Sequence, residues 1–213
     1  MKAEFLGEEK VVLLGIVKGL KDSGKEVGLT YSTERFDLLL LPITEDEISG
    51  LRQFIREPSE VEMDDIEIMY EYYIGKFGDT SIPPEAYVTA VRLADRDGVE
   101  VAGIDIPSGV YEDIFVNNIQ LQDLLSLSLR KRRLMKRKWN MNDPVSFSLE
   151  WDRYLNRGGY ENLERERAKH MATEIIKRKR GKTLVILEVE RFREIVELLK
   201  NSLREYRFQE SVE

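Results

Sequence analysis

The stretch that decides the fold is ENLERERAKHMATEIIKRKR (161–180), followed by GKTLVILEVE (181–190) and RFREIVELLKNSL (191–203). In its first part, apolar residues recur at helical spacing at Leu163, Met171 and Ile175. Gly181 ends that pattern, and the four apolar residues from Leu184 to Leu187 predict a buried strand. The helical period returns at Phe192, Ile195, Val196 and Leu199. The stretch therefore predicts a helix, a strand and a second helix.

Three earlier segments also have the length and composition of buried strands: VVLLGIV (11–17), DLLLLPI (37–43) and VEVAGIDI (99–106). A polar, glycine-containing stretch (18–28) follows the first of them, and helical segments separate the second from the third. Thr44 and Glu47 have the spacing of a capping box, and Pro83–Pro84 predicts the first turn of another helix. Strands that alternate with helices predict an α/β fold, with a mainly parallel sheet and flanking helices.

The strand pattern stops in residues 110–160. Apolar positions from Tyr111 to Leu134 predict one long helix or two broken ones, and a short helix follows around Trp151 and Tyr154. We therefore interpret residues 1–213 as a single α/β domain with a helical insertion at 110–160.

Composition narrows the possible functions. The chain has no cysteine and one histidine, which excludes disulfides, thiolate metal sites, cysteine nucleophiles and zinc sites with several histidines. We expect neither a bound metal nor a cofactor. Charged residues make up 34% of the chain and fit a thermophile-like composition. There is no apolar run of membrane-spanning length and no signal-peptide pattern, so we expect a cytoplasmic protein that does not enter a membrane.

Several motifs resemble those of the TraB/PrgY family, which includes the Tiki-type and erythromycin-esterase-like proteins. Glu166, Arg167, Met171 and Ala172 match the family's E-R-x-x-x-M-A helix. The family's first strand leads into G-x-x-H, and its last strand leads into a second copy of that motif. The first copy corresponds here to Gly15 and Lys18, the second to Glu188 and Arg191, and Asp105 matches an aspartate after the third strand.

The resemblance implies the fold, whereas the residues that would carry the family's hydrolytic role differ, since both histidines are replaced. Lys and Arg do not ligate metals or titrate near neutral pH without large shifts. Our leading hypothesis is a non-catalytic binding or assembly module. The resemblance implies that its ligand site includes Gly15, Lys18 and Arg191, and these two cations predict an anionic ligand. The candidate catalytic residues are Asp105, Glu166, Arg167 and Glu188.

Each of these residues also has a purely structural interpretation. Gly15 fits a turn, Lys18 fits a solvated surface, and Asp105 fits a helix cap. Glu166 and Arg167 could form ion pairs that hold the insertion on the sheet. One alternative function is a metal-dependent hydrolase that uses carboxylates, in which Asp105, Glu166, Glu188 and Glu190 hold a hard cation.

Charge divides the chain into two unequal parts. Residues 1–129 contain 11 Lys/Arg against 26 Asp/Glu, and residues 130–213 contain 22 against 14. Seven cations lie within residues 130–138, followed by Trp139. A second alternative function is therefore nucleic-acid binding through Arg130, Arg133, Arg137 and Trp139. The favoured interpretation is a homodimer built from the insertion, in which the basic run lies near an acidic helix such as 60–71.

The resemblance finally predicts how the candidate residues converge. Strands 11–17, 100–106 and 183–188 are expected to be parallel neighbours whose carboxyl ends share one cleft. Lys18 and Arg191 are expected to make that cleft cationic.

Overall fold

Six strands form one mixed sheet in residues 1–211, the part of the chain that the computed structural model describes. The strand order is β4–β3–β5–β2–β1–β6, with β2, β5, β3 and β4 mutually parallel and β1 antiparallel to both of its neighbours. The α/β fold is confirmed, and the sheet is mostly parallel but mixed. The strands are β1 (Lys2–Leu6), β2 (Lys10–Ile16), β3 (Leu38–Leu41), β4 (Glu100–Gly103), β5 (Lys182–Glu188) and β6 (Arg207–Ser211).

Helices cover both faces of this sheet. Between β4 and α8 the described chain is helical, as expected for most of residues 110–160, and the apolar segment from Tyr111 to Leu134 forms two helices and a 3-10 turn. The helices are α1 (Asp22–Ser32), α2 (Glu45–Arg56), α3 (Asp65–Ile74), α4 (Glu85–Asp97), α5 (Ser108–Asn118), α6 (Leu121–Lys131), α7 (Pro144–Leu155), α8 (Gly159–Arg178) and α9 (Val189–Ser202).

Two hydrophobic cores lie against the sheet, one on each face, because successive side chains of a strand point to opposite faces. On one face, Leu13, Leu40 and Val185 pack with apolar residues of α8 and α9. On the other face, Leu14 and Ile186 pack with residues of α1, α2 and α4. Both faces of the central strands are therefore buried, which explains their nearly continuous apolar sequences.

The position of β4 corrects the predicted neighbour relation. β4 pairs with β3, and β3 separates it from β5 and β2. The reason is that β3, the helices after it and β4 form a crossover unit, which places β4 directly beside β3. The carboxyl ends of the four parallel strands still lie at one edge of the sheet. The candidate residues that follow these strands are therefore spread over four strands, whereas three neighbouring strands were expected.

The predicted capping box at Thr44 is confirmed. The Thr44 hydroxyl accepts a hydrogen bond from the Glu47 amide (3.2 Å), and the Glu47 carboxylate accepts one from the Thr44 amide (2.7 Å). These bonds satisfy two amides that the first turn of a helix leaves free. Helix α2 therefore starts at a defined point shortly after β3 and forms one wall of the cleft described below.

None of the helices in residues 1–211 combines the length and the apolar composition that crossing a bilayer requires.

Candidate ligand-binding cleft

A cleft of about 720 Å³ opens beyond the carboxyl ends of β2, β3 and β5. This is the edge at which α/β proteins generally bind ligands, and the volume is typical of small-molecule sites. Helices α2, α3, α4, α7, α8 and α9 contribute to its wall. The polar residues that line its inner part are Lys18, Tyr70, Tyr87, Asp152, Glu164, Arg167, Glu188, Glu190 and Arg191.

Lys18 and Glu188 form an ion pair at the base of the cleft. Lys18 follows β2 and Glu188 ends β5, and because these strands are adjacent, Lys18 Nζ lies 3.4 Å from Glu188 Oε1. The negative charge of Glu188 raises the pKa of Lys18. The Tyr87 hydroxyl donates a hydrogen bond to the same Oε1 at 2.9 Å.

Glu188 is held in its ionised form. Burial tends to raise its pKa, but the charges of Lys18 and Arg167 and the hydrogen bond from Tyr87 keep that pKa below its ordinary value. Burial and the nearby Glu188 charge in turn raise the pKa of Tyr87 well above its ordinary value. Tyr87 therefore remains a proton donor to a permanent carboxylate.

Arg167 and Arg191 form a connected ionic cluster with three carboxylates. Arg167 Nη1 donates to both oxygens of Glu164 (2.9 and 3.1 Å), and Arg167 Nε donates to Asp105 Oδ1 (3.2 Å). Arg191 Nε lies 3.1 Å from Glu164 Oε2, and Arg191 Nη2 pairs with Asp152. Glu164 thus bridges two guanidinium groups, and the cluster links α7, α8 and α9 to the end of β4.

Glu190 differs from the ion-paired side chains described above. Its Oε2 is buried and has no hydrogen-bond partner among the described residues. Burial and the negative charge of Glu188 raise the pKa of Glu190 to about 8. Glu188 and Glu190 are therefore two neighbouring carboxyl groups, of which one is ionised and the other protonated at neutral pH.

The expectation of a cationic cleft is wrong. Lys18, Arg167 and Arg191 all lie in the cleft, as the convergence of strand ends requires, but each is already paired with a carboxylate. The paired carboxylates are those of Glu188, Asp105, Glu164 and Asp152. Ionised acids thus outnumber the three cations, so the region carries no positive excess.

Two other candidates lie outside the cleft, and a third lies at its edge. Gly15 lies within β2, where an added Cβ would stand 2.8 Å from the Phe192 ring, so this glycine allows α9 to pack on the strand. Glu166 points away, pairs with Lys169 at 2.7 Å and keeps 45% of its side chain exposed. Asp105 is nearly buried behind Arg167 and also accepts a hydrogen bond from the Ile106 amide (2.7 Å). Gly15 and Glu166 are therefore corrected from site residues to structural ones, and Asp105 is a pairing partner.

These placements also bear on metal binding. No group of three or more histidine, aspartate or glutamate side chains within residues 1–211 is spaced to hold a metal ion. Asp105, Glu166, Glu188 and Glu190 therefore do not form the carboxylate set considered from the sequence.

Sequence reasoning missed Glu164, Asp152, Tyr70 and Tyr87 as residues of the cleft. Glu164 precedes Arg167 by three positions on α8, a spacing that places two side chains on the same helix face. That spacing was a usable signal. The other three belong to α7, α3 and α4, whose position over the sheet depends on tertiary packing that no local pattern shows.

Three of the four nucleic-acid candidates in and after the basic run make contacts within the molecule. Trp139 is 8% exposed and donates from its ring N–H to the Leu134 carbonyl (3.3 Å), so it is not available to stack on a base. Arg137 pairs with Glu150 (2.7 Å) and stacks over the Trp139 ring, and Arg130 donates to the Leu155 carbonyl (3.1 Å). Arg133 alone of the four candidates is exposed. The predicted nucleic-acid set is therefore corrected, because three of its members stabilise the packing around α7.

Comparison with protein-family models and with curated proteins finds no match to this chain. The resemblance to the TraB/PrgY family accordingly stays a prediction.

Proposed function

We propose that this protein is a non-catalytic binding module that holds a small molecule in the cleft at the strand ends. The observation that carries the proposal is the pre-formed cleft itself, in which fixed ion pairs surround the Glu190 carboxyl group, one oxygen of which has no partner within residues 1–211. Pre-formed clefts with a few convergent polar groups are the usual form of small-molecule sites. The absence of cysteine in the sequence is compatible with the reducing cytoplasm, where we propose that the module works.

The non-catalytic part of the proposal rests on the ion pairs. In the TraB/PrgY resemblance, Lys18 and Arg191 occupy the positions of the two histidines. Both side chains are paired with carboxylates, and a paired Lys or Arg neither ligates a metal nor exchanges a proton at neutral pH.

One feature favours a hydrolase as the alternative, because two carboxyl groups with different protonation states can act as a general acid and base. Glu188 and Glu190 have that relation, so the experiment must separate binding from turnover.

Filling the cleft should abolish binding. Gly50 lines the cleft, and an added Cβ there meets no atom within 4 Å, so Gly50→Phe places a ring in the cleft without a clash at its base. A library of metabolites should contain compounds that raise the melting temperature of the wild type and not of Gly50→Phe. The matched control is Gly109→Phe on α5, since Gly109 also has open space and lies outside the cleft lining. This control should respond like the wild type.

Mass spectrometry of the recovered compounds decides between binding and catalysis. Compounds that are recovered unchanged after prolonged incubation support the binding module. Hydrolysed compounds would replace it with the Glu188–Glu190 hydrolase. A library without any Gly50-dependent binder would exclude the cleft as a ligand site.

We also propose that the protein forms a homodimer through α5 and α6. Neither helix has a buried residue, and four of their apolar side chains are more than half exposed: Val116, Leu121, Leu125 and Leu129. A face of this kind on a stable protein indicates an interaction site. A second copy fits the charge distribution, because the exposed cations Arg132, Arg133, Lys136 and Lys138 follow α6, whereas the segment from Glu57 to Glu67 presents exposed acids. Buried apolar area would supply most of the affinity and the charges would set the orientation.

Leu125→Glu should convert the dimer into a monomer, because it places a charge in the centre of the apolar face. Sedimentation velocity measures the change. The matched control is Leu29→Glu, which alters an exposed leucine on α1 and should leave the dimer intact. A wild-type monomer that binds single-stranded RNA with a steep salt dependence would instead favour a nucleic-acid role for the exposed cations.

A further inference from the structure

We propose that the cleft binds an organic cation, a primary amine attached to an apolar group, and that the carboxyl groups of Glu188 and Glu190 receive its ammonium group. This inference rests on the proposed binding function and names the class of its ligand. It replaces the anionic ligand expected from the sequence.

The first argument is the supply of hydrogen-bond acceptors. The three cationic side chains of the cleft already have carboxylate partners, so an incoming anion would have to displace one of them. Glu190 Oε2, by contrast, is buried without a partner among the described residues. Burying a polar oxygen without a hydrogen bond destabilises the folded protein, and a ligand that donates to this oxygen removes that cost. The ionised Glu190 oxygen therefore selects a donor, and an ammonium group supplies the positive charge that favours the ionised form.

The second argument is charge. The ionised acids already outnumber the cations around the cleft, so the local field favours a positive ligand. The rings of Tyr70, Tyr87 and Trp151 also line the cleft. Aromatic faces attract cations, most strongly where water is excluded.

The third argument is the apolar outer part of the cleft. Helix α2, the segment after it and the start of α3 contribute apolar side chains there, and the chain before α4 adds two prolines. These residues are Leu51, Phe54, Val61, Ile66, Pro83 and Pro84. An ammonium group alone would leave this surface in water. The wall therefore favours an amine that carries a hydrocarbon or aromatic body.

Binding of an amine should release a proton from Glu190. The charged or titratable groups that face it come from six elements: Lys18 after β2, Tyr70 on α3, Tyr87 on α4, Asp152 on α7, Glu188 at the end of β5, and Arg191 on α9. Burial and nearby carboxylates raise the pKa values of both tyrosines well above the ordinary value, so they stay protonated. Burial also raises the pKa of Asp152, an effect that the charge of its partner Arg191 opposes. Glu190 is therefore the group that changes its charge near neutral pH, since its pKa is about 8.

Three probes that share a phenylethyl group and differ in the polar end separate the ligand classes: 2-phenylethylamine, 3-phenylpropanoate and 2-phenylethanol. Isothermal titration calorimetry at low salt should show that the amine binds at least about tenfold more tightly than either of the others. Repeating the titration in buffers of different ionisation enthalpy measures proton release. We expect close to one proton released per bound amine at about pH 6.5 and almost no net release at about pH 9, because Glu190 is then mostly ionised while the amine is still mostly protonated.

Glu190→Gln should weaken amine binding by about tenfold or more and abolish proton release, because an amide cannot take the negative charge. The matched control is Glu197→Gln, on the same helix, where Glu197 is exposed and pairs only with Lys200. It should leave both quantities unchanged.

Three results would overturn the inference: equal or tighter binding of the propanoate, no binding of the amine, or amine binding that survives Glu190→Gln with its proton release. The proposed function would survive all three if the metabolite library still contained a binder that depends on Gly50. If the library contained no binder that depends on Gly50 either, both the amine inference and the proposed binding function would be wrong.

Discussion

Replacing Arg167 by methionine should lower the free energy of unfolding by about 3–5 kcal/mol, which is the usual cost of removing one partner from a buried ion pair. The substitution keeps much of the side-chain volume but leaves Asp105 and Glu164 without the guanidinium that now pairs with both. These carboxylates are only 12% and 13% exposed, so water compensates little. Urea unfolding monitored by circular dichroism measures the change.

Arg165→Met is the matched control for this prediction. Arg165 is on the same helix, and its side chain is 50% exposed and pairs with Glu161 on the surface. Exposed pairs contribute about 0–1 kcal/mol, so this variant should remain close to the wild type. A double variant that also carries Asp105→Asn should recover part of the loss, because Asp105 loses its guanidinium partner whereas Glu164 still pairs with Arg191. Equal effects of the two arginine substitutions would show that the cluster does not stabilise the fold.

Glu190→Gln should stabilise the protein, and increasingly so as the pH rises. The Glu190 carboxyl ionises near its ordinary pKa of 4.5 in the unfolded chain and near 8 in the folded protein, because the folded environment disfavours its charge. The folded state therefore binds more protons between these values, and the wild type loses stability as pH rises through this window. The neutral glutamine does not titrate, so it avoids that loss. We expect a gain of about 3 kcal/mol at about pH 7 and almost none at about pH 4.

Thermal unfolding across this pH range measures the effect. For a chain of this length, a gain of about 3 kcal/mol corresponds to a rise of about 6–12 °C in the melting temperature. Glu197→Gln provides the baseline, since it removes the same charge from an exposed position of α9. A gain that did not vary with pH would contradict the raised pKa of Glu190. The same substitution is expected to weaken amine binding. The proposed function therefore requires a carboxyl group that lowers the stability of the folded protein.

The parts of the fold that were predicted correctly have strong local signals. The helix, strand and helix of residues 161–203 have clear apolar periods, and the start of α2 has a capping box. Such signals depend on side chains a few positions apart, so a single sequence contains them.

The missed elements depend on distant partners. In β6, Phe208 is the only apolar residue, and its ring packs on Phe5 of β1 with 5.1 Å between centroids. Helix α1 begins in a polar, glycine-containing segment for which no helix was predicted. An added Cβ at Gly24 would lie 2.6 Å from the Glu85 side chain, so this glycine is required by close contact with α4. A contact between residues so far apart leaves no local pattern.

The same distinction applies to the site. Lys18 and Arg191 were predicted to share a cleft because parallel strands end at the same edge, and both line it. Their charge balance was predicted wrongly because Asp152 and Glu164, which pair with Arg191, belong to α7 and α8. The basic run was misread for a similar reason. A sequence shows that arginines and a tryptophan are clustered, but not that Glu150 and the rings of α7 surround them.

The central position of β5 has a consequence for how the chain reaches its native state. β5 pairs with β2 on one side and with β3 on the other, so it separates two strands that precede it by more than 140 residues. The pair β3–β4 and the pair β1–β2 cannot become one sheet before β5 is available. During synthesis the earlier strands must wait with apolar edges unpaired until residues 182–188 leave the ribosome. Pairings over such sequence separations fold slowly and expose the chain to aggregation, so this topology makes completion of the sheet a late event in folding.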